Sequence, residues 1–172
     1  MPTLFVDEVK GNPYRLVAVC VQNGDIPRLR KALRAEVLSW QRSIHFVNER
    51  DPIRKKFLST CLRLGFIAFE IDAGTGHEFE TRPRALRILT LLAAENSCDR
   101  IILDLDESLR ASDEKILRKH LAELQARTKI GFDHVRRHEE PIIWVADAIA
   151  WSLNRSGDWK ARVEPMCTKF DA

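Results

Sequence analysis

The sequence has no run approaching the ~20 apolar residues that a membrane-spanning helix needs. Its opening residues, Met1-Pro2-Thr3-Leu4-Phe5-Val6-Asp7-Glu8, turn acidic too early for a signal peptide, so the expected location is the cytoplasm. Cysteine is scarce, with Cys20, Cys61, Cys98 and Cys167 far apart and no C-x-x-C pair. That spacing argues against a zinc ribbon or thioredoxin-type site and suits reduced thiols in a reducing compartment. There is no P-loop, no G-x-G-x-x-G and no G-x-S-x-G, which disfavours P-loop nucleotide hydrolysis and serine-hydrolase chemistry. Internal repeats, low-complexity tracts and linkers are also missing. A chain of 172 residues is then expected to form a single domain over 1–172.

What is present is enough for a real core. The chain is 45% hydrophobic and 31% charged, which excludes collagen-like and disordered states. The net charge of +3 is too small to identify a partner by itself. Basic residues cluster at Arg28, Arg30, Lys31 and Arg34, at Arg54, Lys55 and Lys56, and at Arg82, Arg84 and Arg87. Each cluster reads as a solvated helix face, and together they would make a phosphate-attracting surface.

Strand-like and helix-like segments alternate. Thr3 to Asp7 and Tyr14 to Val21 read as strands joined through the turn signal Lys10-Gly11-Asn12-Pro13, an antiparallel pair. Asp25 to Trp40 predicts a helix whose apolar stripe is Ile26, Leu29, Leu33, Val37 and Trp40. Ile44 to Val47 reads as extended, and Asp51-Pro52 starts a second helix. A strand is expected over Phe66 to Ile71, then a helix from Pro83 to about Asn96. Arg100 to Leu105 is a strand with a near-continuous apolar run. A helix capped by Ser112 or Asp113 should reach Arg127, with His120 on its apolar stripe. Phe132 to Arg136 reads as a short strand and Pro141 to about Asn154 as a final helix. The order predicts an α/β fold around a mixed sheet.

Three acidic positions stand out against that pattern. Asp147 lies in a helix that is apolar nearly all round, so it should be buried. A buried carboxylate needs a cation side chain, backbone donors or a metal ion. Helical spacing also puts Asp147 on one face with Trp144, Trp151 and Arg155, so a local pair with Arg155 is the structural alternative. Asp7 ends the first strand, where Asp is also a common turn residue. Asp104 and Asp106 share a strand face with Ile102, at an end that solvent alone would explain. If the first strand and the Arg100 strand are parallel neighbours, their ends lie ~5 Å apart, and a helix across them would add Asp147. Three carboxylates so close repel one another unless Mg²⁺ or Mn²⁺ sits between them. Such ions activate water and stabilise the leaving oxygen in phosphodiester cleavage.

Phe5-Val6-Asp7-Glu8 resembles the F-[VI]-D-E opening of the domain of unknown function 3800 family. Ile44-His45-Phe46 resembles its piece after the first helix, and Val145-Ala146-Asp147-Ala148-Ile149-Ala150 its late ADxIA helix. Ile102 to Asp113 is similar to its acid-ended strand leading to an Asp-capped helix. Glu140-Pro141-Ile142-Ile143-Trp144 through Gly157-Asp158-Trp159-Lys160 is similar to an actinobacterial-type branch. The resemblance spans about Leu4 to Arg162 and implies an RNase H-like fold with the acids as a metal site. It matches Asp7 to the first-strand acid and Asp104 to the mid-sheet acid, with Asp106 and Glu107 as alternates. Asp113 matches the acid that follows, and Asp147 the helix acid. The family's D-E-S-G turn is Asp7-Glu8-Val9-Lys10-Gly11 here, without the serine.

The leading expectation is therefore a metal-dependent nuclease or phosphodiesterase of RNase H-like fold. Asp7, Asp104 and Asp147 would be catalytic and would bind Mg²⁺ or Mn²⁺, with Asp106, Glu107 or Asp113 assisting. Arg54 and Lys55 would position phosphate, with His45 either a phosphate contact or a structural residue. Trp159, beside Lys160, is the tryptophan kept as a nucleic-acid contact; the others read as core. The alternative is a non-catalytic RNase H-like scaffold that binds nucleic acid or a protein partner. A small-molecule phosphoesterase on the same metal site is a third reading.

Overall fold

The computed structural model describes residues 1–124 and 129–172. Six strands form one sheet: β1 (Pro2–Val9), β2 (Arg15–Gln22), β3 (Ile67–Asp72), β4 (Arg100–Asp104), β5 (Gly131–Val135) and β6 (Cys167–Asp171). Their spatial order is β5-β4-β1-β2-β3-β6. β1 runs antiparallel to β2, and β2 to β3. The β1–β4, β4–β5 and β3–β6 pairs are parallel. Among the described residues, six α-helices cover the faces: α1 (Ile26–Arg34), α2 (Asp51–Leu64), α3 (Glu78–Glu95), α4 (Arg110–Leu124), α5 (Pro141–Leu153) and α6 (Asp158–Val163). This is the α/β fold, a mixed sheet flanked by helices, that the alternating segments predict. No helix among the described residues is long and apolar enough to cross a membrane.

Period-two alternation assigns each strand residue to one of two cores. Phe5, Val17, Val19 and Ile102 face the core that holds α1, α2 and α5. Leu4, Val6, Leu16, Ala18, Ile101 and Leu103 face the core that holds α3 and α4. Asp7 follows Phe5 by two residues and Asp104 follows Ile102 by two, so both acids lie on the α5 side, Asp104 as the last residue of β4 and Asp7 two residues before the end of β1, which runs on past the expected end at Asp7. Glu8, one residue on from Asp7, turns toward the α3–α4 side.

The buried helix α5 is fixed at its start by a side-chain cap. Glu140 accepts from the Ile142 N–H at 3.1 Å, and Pro141 takes the first helical position. Arg30 from α1 forks onto the same Glu140 carboxylate. Ile142 to Ala150 are buried almost without interruption, and a fully buried large apolar side chain contributes about 1.5–3 kcal/mol. Asp147 sits inside that run.

Several boundaries differ from the sequence expectation. α1 ends at Arg34 rather than Trp40, because Glu36 and Val37 turn back to Leu33 and Arg34 with tight i→i+3 bonds. Trp40 is 78% exposed and takes no part in the core. α3 begins five residues before Pro83, with Glu78 and Glu80 favourably placed at its positive N-terminal end. Arg82 thereby lies inside the helix, buried at 4% exposure, and is no part of a surface cluster. α4 begins at Arg110, and its expected end at Arg127 lies outside the described residues. His120 is half-buried and contacts Glu123 at 3.4 Å rather than filling the core. β6 and α6 carry no distinct sequence pattern and go unpredicted.

Candidate active site

The C-terminal ends of the parallel strands β1 and β4 meet the middle of α5 at a cavity of about 420 Å³. Open parallel arrangements generally place ligands at this end of the strands. Asp7, Asp104 and Asp147 all reach the cavity, joined by Glu8, Asp106 and Glu107. The positive groups on its wall are Lys10 and Arg137, with His45 beside them. The cavity is thus strongly acidic within a chain whose net charge is positive. A second cavity of about 440 Å³ lies at the opposite strand ends and has Asp99 as its sole carboxylate.

One guanidinium holds the three central acids. Arg137 Nη2 donates to Asp7 Oδ2 at 3.0 Å and to Asp104 Oδ2 at 2.5 Å. Its Nη1 lies 2.8 Å from Asp147 Oδ2. The same Asp147 oxygen accepts the Phe46 N–H at 2.7 Å, and His45 Nδ1 lies 3.3 Å away. His45 Nδ1 also meets Arg137 Nη1. The compensation that a buried Asp147 requires is therefore a cation side chain and a backbone donor. It is not the local Arg155 pair, since Arg155 stacks over Trp151 instead.

Their partners send the two most buried acids of the cluster in opposite directions. Asp7 is 4% exposed, and burial pushes its carboxyl well up; Arg137 opposes the shift while the charges of Asp147 and Asp104 reinforce it. Burial also acts to raise Asp147, but contact with His45, the charge of Arg137 and the Phe46 N–H outweigh it. Asp147 is held below the usual carboxylate range, so a proton entering the cluster goes to Asp7 in preference. Burial works against the charge on Arg137, but the three acids overcome it and hold the guanidinium more firmly protonated than usual.

Arg137 is the residue that sequence reasoning missed. It sits in the turn between β5 and α5, where no periodicity marks a side chain as inward. Its backbone is pinned from α5, because Trp144 Nε1 donates to the Arg137 carbonyl at 2.7 Å. The available signal was the need of Asp147 for a cation together with an Arg ten residues upstream, just before the same helix.

The remaining predicted residues fall in three places. Asp106 and Glu107 are on the cavity wall; Asp106 pairs with Lys10 at 2.7 Å and accepts the Ser108 N–H at 2.9 Å, which keeps its carboxyl well below its ordinary range. Asp113 is not brought into the cluster. It is buried on the α3–α4 side, where Arg82 grips both its oxygens at 2.7 Å and His134 Nε2 lies 3.3 Å away. Arg82 also donates to Tyr14 Oη at 2.7 Å and pairs with Glu8 at 3.1 Å.

Arg54, Lys55, Trp159 and Lys160 gather near the end of α5, beyond Asp147. Arg54 donates to the Phe46 and Val47 carbonyls at 2.8 and 2.9 Å and lies 4.2 Å over the Trp151 ring. It therefore holds the short 3-10 turn Phe46–Asn48, found where an extended piece is expected, whose Phe46 N–H reaches Asp147. Trp159 packs edge-on against Trp151, and Lys55 Nζ lies 5.9 Å from its ring centre. Lys55 and Lys160 are exposed, with Lys160 3.8 Å from Glu164.

Among the described residues, no group of three or more His, Cys, Asp or Glu side chains is arranged as a metal cage. The space between the three acids is taken by Arg137. Their donor chemistry is nonetheless all carboxylate oxygen, the kind that suits Mg²⁺ or Mn²⁺. No family profile matches the chain, and no curated protein does. Among solved structures, the chain is similar to RNase HII in the PCNA:RNase HII complex from Archaeoglobus fulgidus. The likeness has 16% sequence identity and a TM-score of 0.48, over 88% of this chain and 71% of that one.

Proposed function

We propose that this chain is a divalent-cation-dependent nuclease or phosphodiesterase of RNase H-like type, with Asp7, Asp104 and Asp147 as its metal-binding carboxylates. The observation that carries the proposal is the convergence of these acids, from β1, β4 and α5, on one positive centre in one solvent-reached cavity. The resemblance to the domain of unknown function 3800 family belongs to this reading, and the residues it matches to acids in β1, β4 and α5 are the ones that converge.

When bound, Mg²⁺ or Mn²⁺ supplies an activated water and offsets charge developing on the phosphate oxygens. The chain's own residues prepare for that. Asp147 is kept ionised by the Phe46 N–H and by the positive charge beside it. Asp106 and Glu107 extend the acidic wall toward the rim. His45, half-exposed beside Asp147, presents its ring to an entering phosphate. Lys55, Trp159 and Lys160 offer a basic and aromatic surface past the cavity for the rest of a polynucleotide. Asp113 acts elsewhere, as the partner of Arg82.

The test is cleavage of labelled DNA and RNA oligonucleotides in Mn²⁺ by the wild type, Asp7→Asn and Asp147→Asn. Cutting that needs Mn²⁺ and falls at least 100-fold in both variants supports the proposal. A second reading, a non-catalytic module for nucleic acid or a protein, draws on one observation: Arg137 already occupies the space between the acids. Under that reading the protein binds oligonucleotides with a steep salt dependence and cuts none of them in Mn²⁺.

A further inference from the structure

We infer that Arg137 gates the carboxylate cluster, occupying it in the free protein and leaving it for the phosphate of an incoming phosphodiester. The inference rests on the metal-binding reading of Asp7, Asp104 and Asp147 and adds how that site is controlled.

The guanidinium contacts the oxygens that a divalent ion would need, Oδ2 of all three acids at 2.5–3.0 Å. The guanidinium fills the space between the three acids, where an ion bridging them would sit, so Arg137 competes with any metal placed there. In the free protein it has the advantage of being tethered. Its carbonyl is bonded to the Trp144 indole, and Glu139 accepts the Arg136 N–H at 3.2 Å, so the turn stays in place. The side chain beyond that anchor is long and reaches into an open cavity. A guanidinium's planar fork suits phosphate as well as it suits carboxylate.

Two arrangements of the same side chain follow. Without phosphate, Arg137 satisfies the three acids, and divalent ions bind weakly. With a phosphodiester in the cavity, Arg137 gains a second anionic partner and releases the acids to the ion. Linkage then requires reciprocity: the factor by which phosphodiester raises metal affinity equals the factor by which metal raises phosphodiester affinity. The free protein would thus hold no loaded metal centre until its substrate arrived.

The experiment is calorimetric titration of Mn²⁺ into the wild type and Arg137→Gln, each alone and with a methylenephosphonate-linked dithymidine that keeps the charge and resists cleavage. The expected result has two parts. Arg137→Gln alone binds Mn²⁺ at least tenfold more tightly than the wild type alone. The dinucleotide raises the wild-type affinity at least tenfold and that of Arg137→Gln by a clearly smaller factor. Equal Mn²⁺ affinities in the two proteins, unmoved by the dinucleotide, overturn the gate while leaving the carboxylate site standing. No Mn²⁺ binding by either protein under either condition overturns the gate and the site together. Near-UV circular dichroism checks folding. If Arg137→Gln does not fold, Arg137→Lys keeps the charge without the fork and should bind Mn²⁺ with intermediate affinity; wild-type affinity in that variant counts against the gate.

Discussion

The indole N–H of Trp144 donates to the backbone carbonyl of Arg137 at 2.7 Å, tying the turn before α5 to the helix itself. Trp144 is fully buried, so the donor side of this bond is shielded from water. Through it, the helix that carries Asp147 also fixes the residue that neutralises Asp147. Trp144→Phe keeps the aromatic bulk and deletes the donor. It should cost about 1–3 kcal/mol, the penalty of leaving a buried acceptor unpaired. Urea unfolding measures that cost, and a change below 0.5 kcal/mol would deny the bond its positioning role.

Asp7 and Asp147 should respond to pH with opposite signs. Folding raises the Asp7 pKa, so the stability Asp7 brings is present below the unfolded value of about 3.9 and is lost as pH rises through the folded value. Folding lowers the Asp147 pKa, so its contribution is present above about 3.9 and is lost as pH falls through the folded value. Asp7→Asn removes the first effect. Without divalent cations it should be at least as stable as the wild type at neutral pH, with the advantage vanishing at acid pH. Urea midpoints across that range read the difference, and a large loss of stability at neutral pH would contradict it.

Asp113→Asn separates structure from site. The Arg82–Asp113 pair is doubly hydrogen-bonded and buried on the far side of the sheet. Breaking one side of such a pair costs about 3–5 kcal/mol. The variant should lose that stability yet keep its Mn²⁺ affinity within twofold, provided it is studied below its unfolding temperature. A selective loss of metal binding would return Asp113 to the site.

Lys55 is exposed beside the Trp159 ring, and Lys55→Ala tests the surface beyond the cavity. Oligonucleotide affinity should fall several-fold, and the slope of log affinity against log salt should shrink by about 1. Arg54→Ala is the wrong test of the same surface, because Arg54 anchors the Phe46 and Val47 carbonyls.

The positions of Asp7 and Asp104 were legible because period two is rigid: Phe5 and Ile102 are apolar and inward, so the acids two residues on share their face. Asp147 was legible as an anomaly, a charge in an apolar helix. Arg137 was not, because a turn has no periodicity and nothing local says which way a long side chain points. The same reasoning explains the misplaced end of α1. Leu29 and Leu33 fix a buried stripe, but Val37 and Trp40 continue its spacing past the point where the chain turns away. Pro83 reads as a helix start, but it lies inside α3, where it forgoes one intrahelical hydrogen bond.

The central claim is that Asp7, Asp104 and Asp147 act together as a divalent-cation site. The most direct measurement is Mn²⁺ binding by calorimetry to the wild type and Asp147→Asn side by side, both with the uncleavable dinucleotide present. The account predicts saturable binding to the wild type that weakens at least tenfold in Asp147→Asn. Equal binding to the two proteins would contradict it.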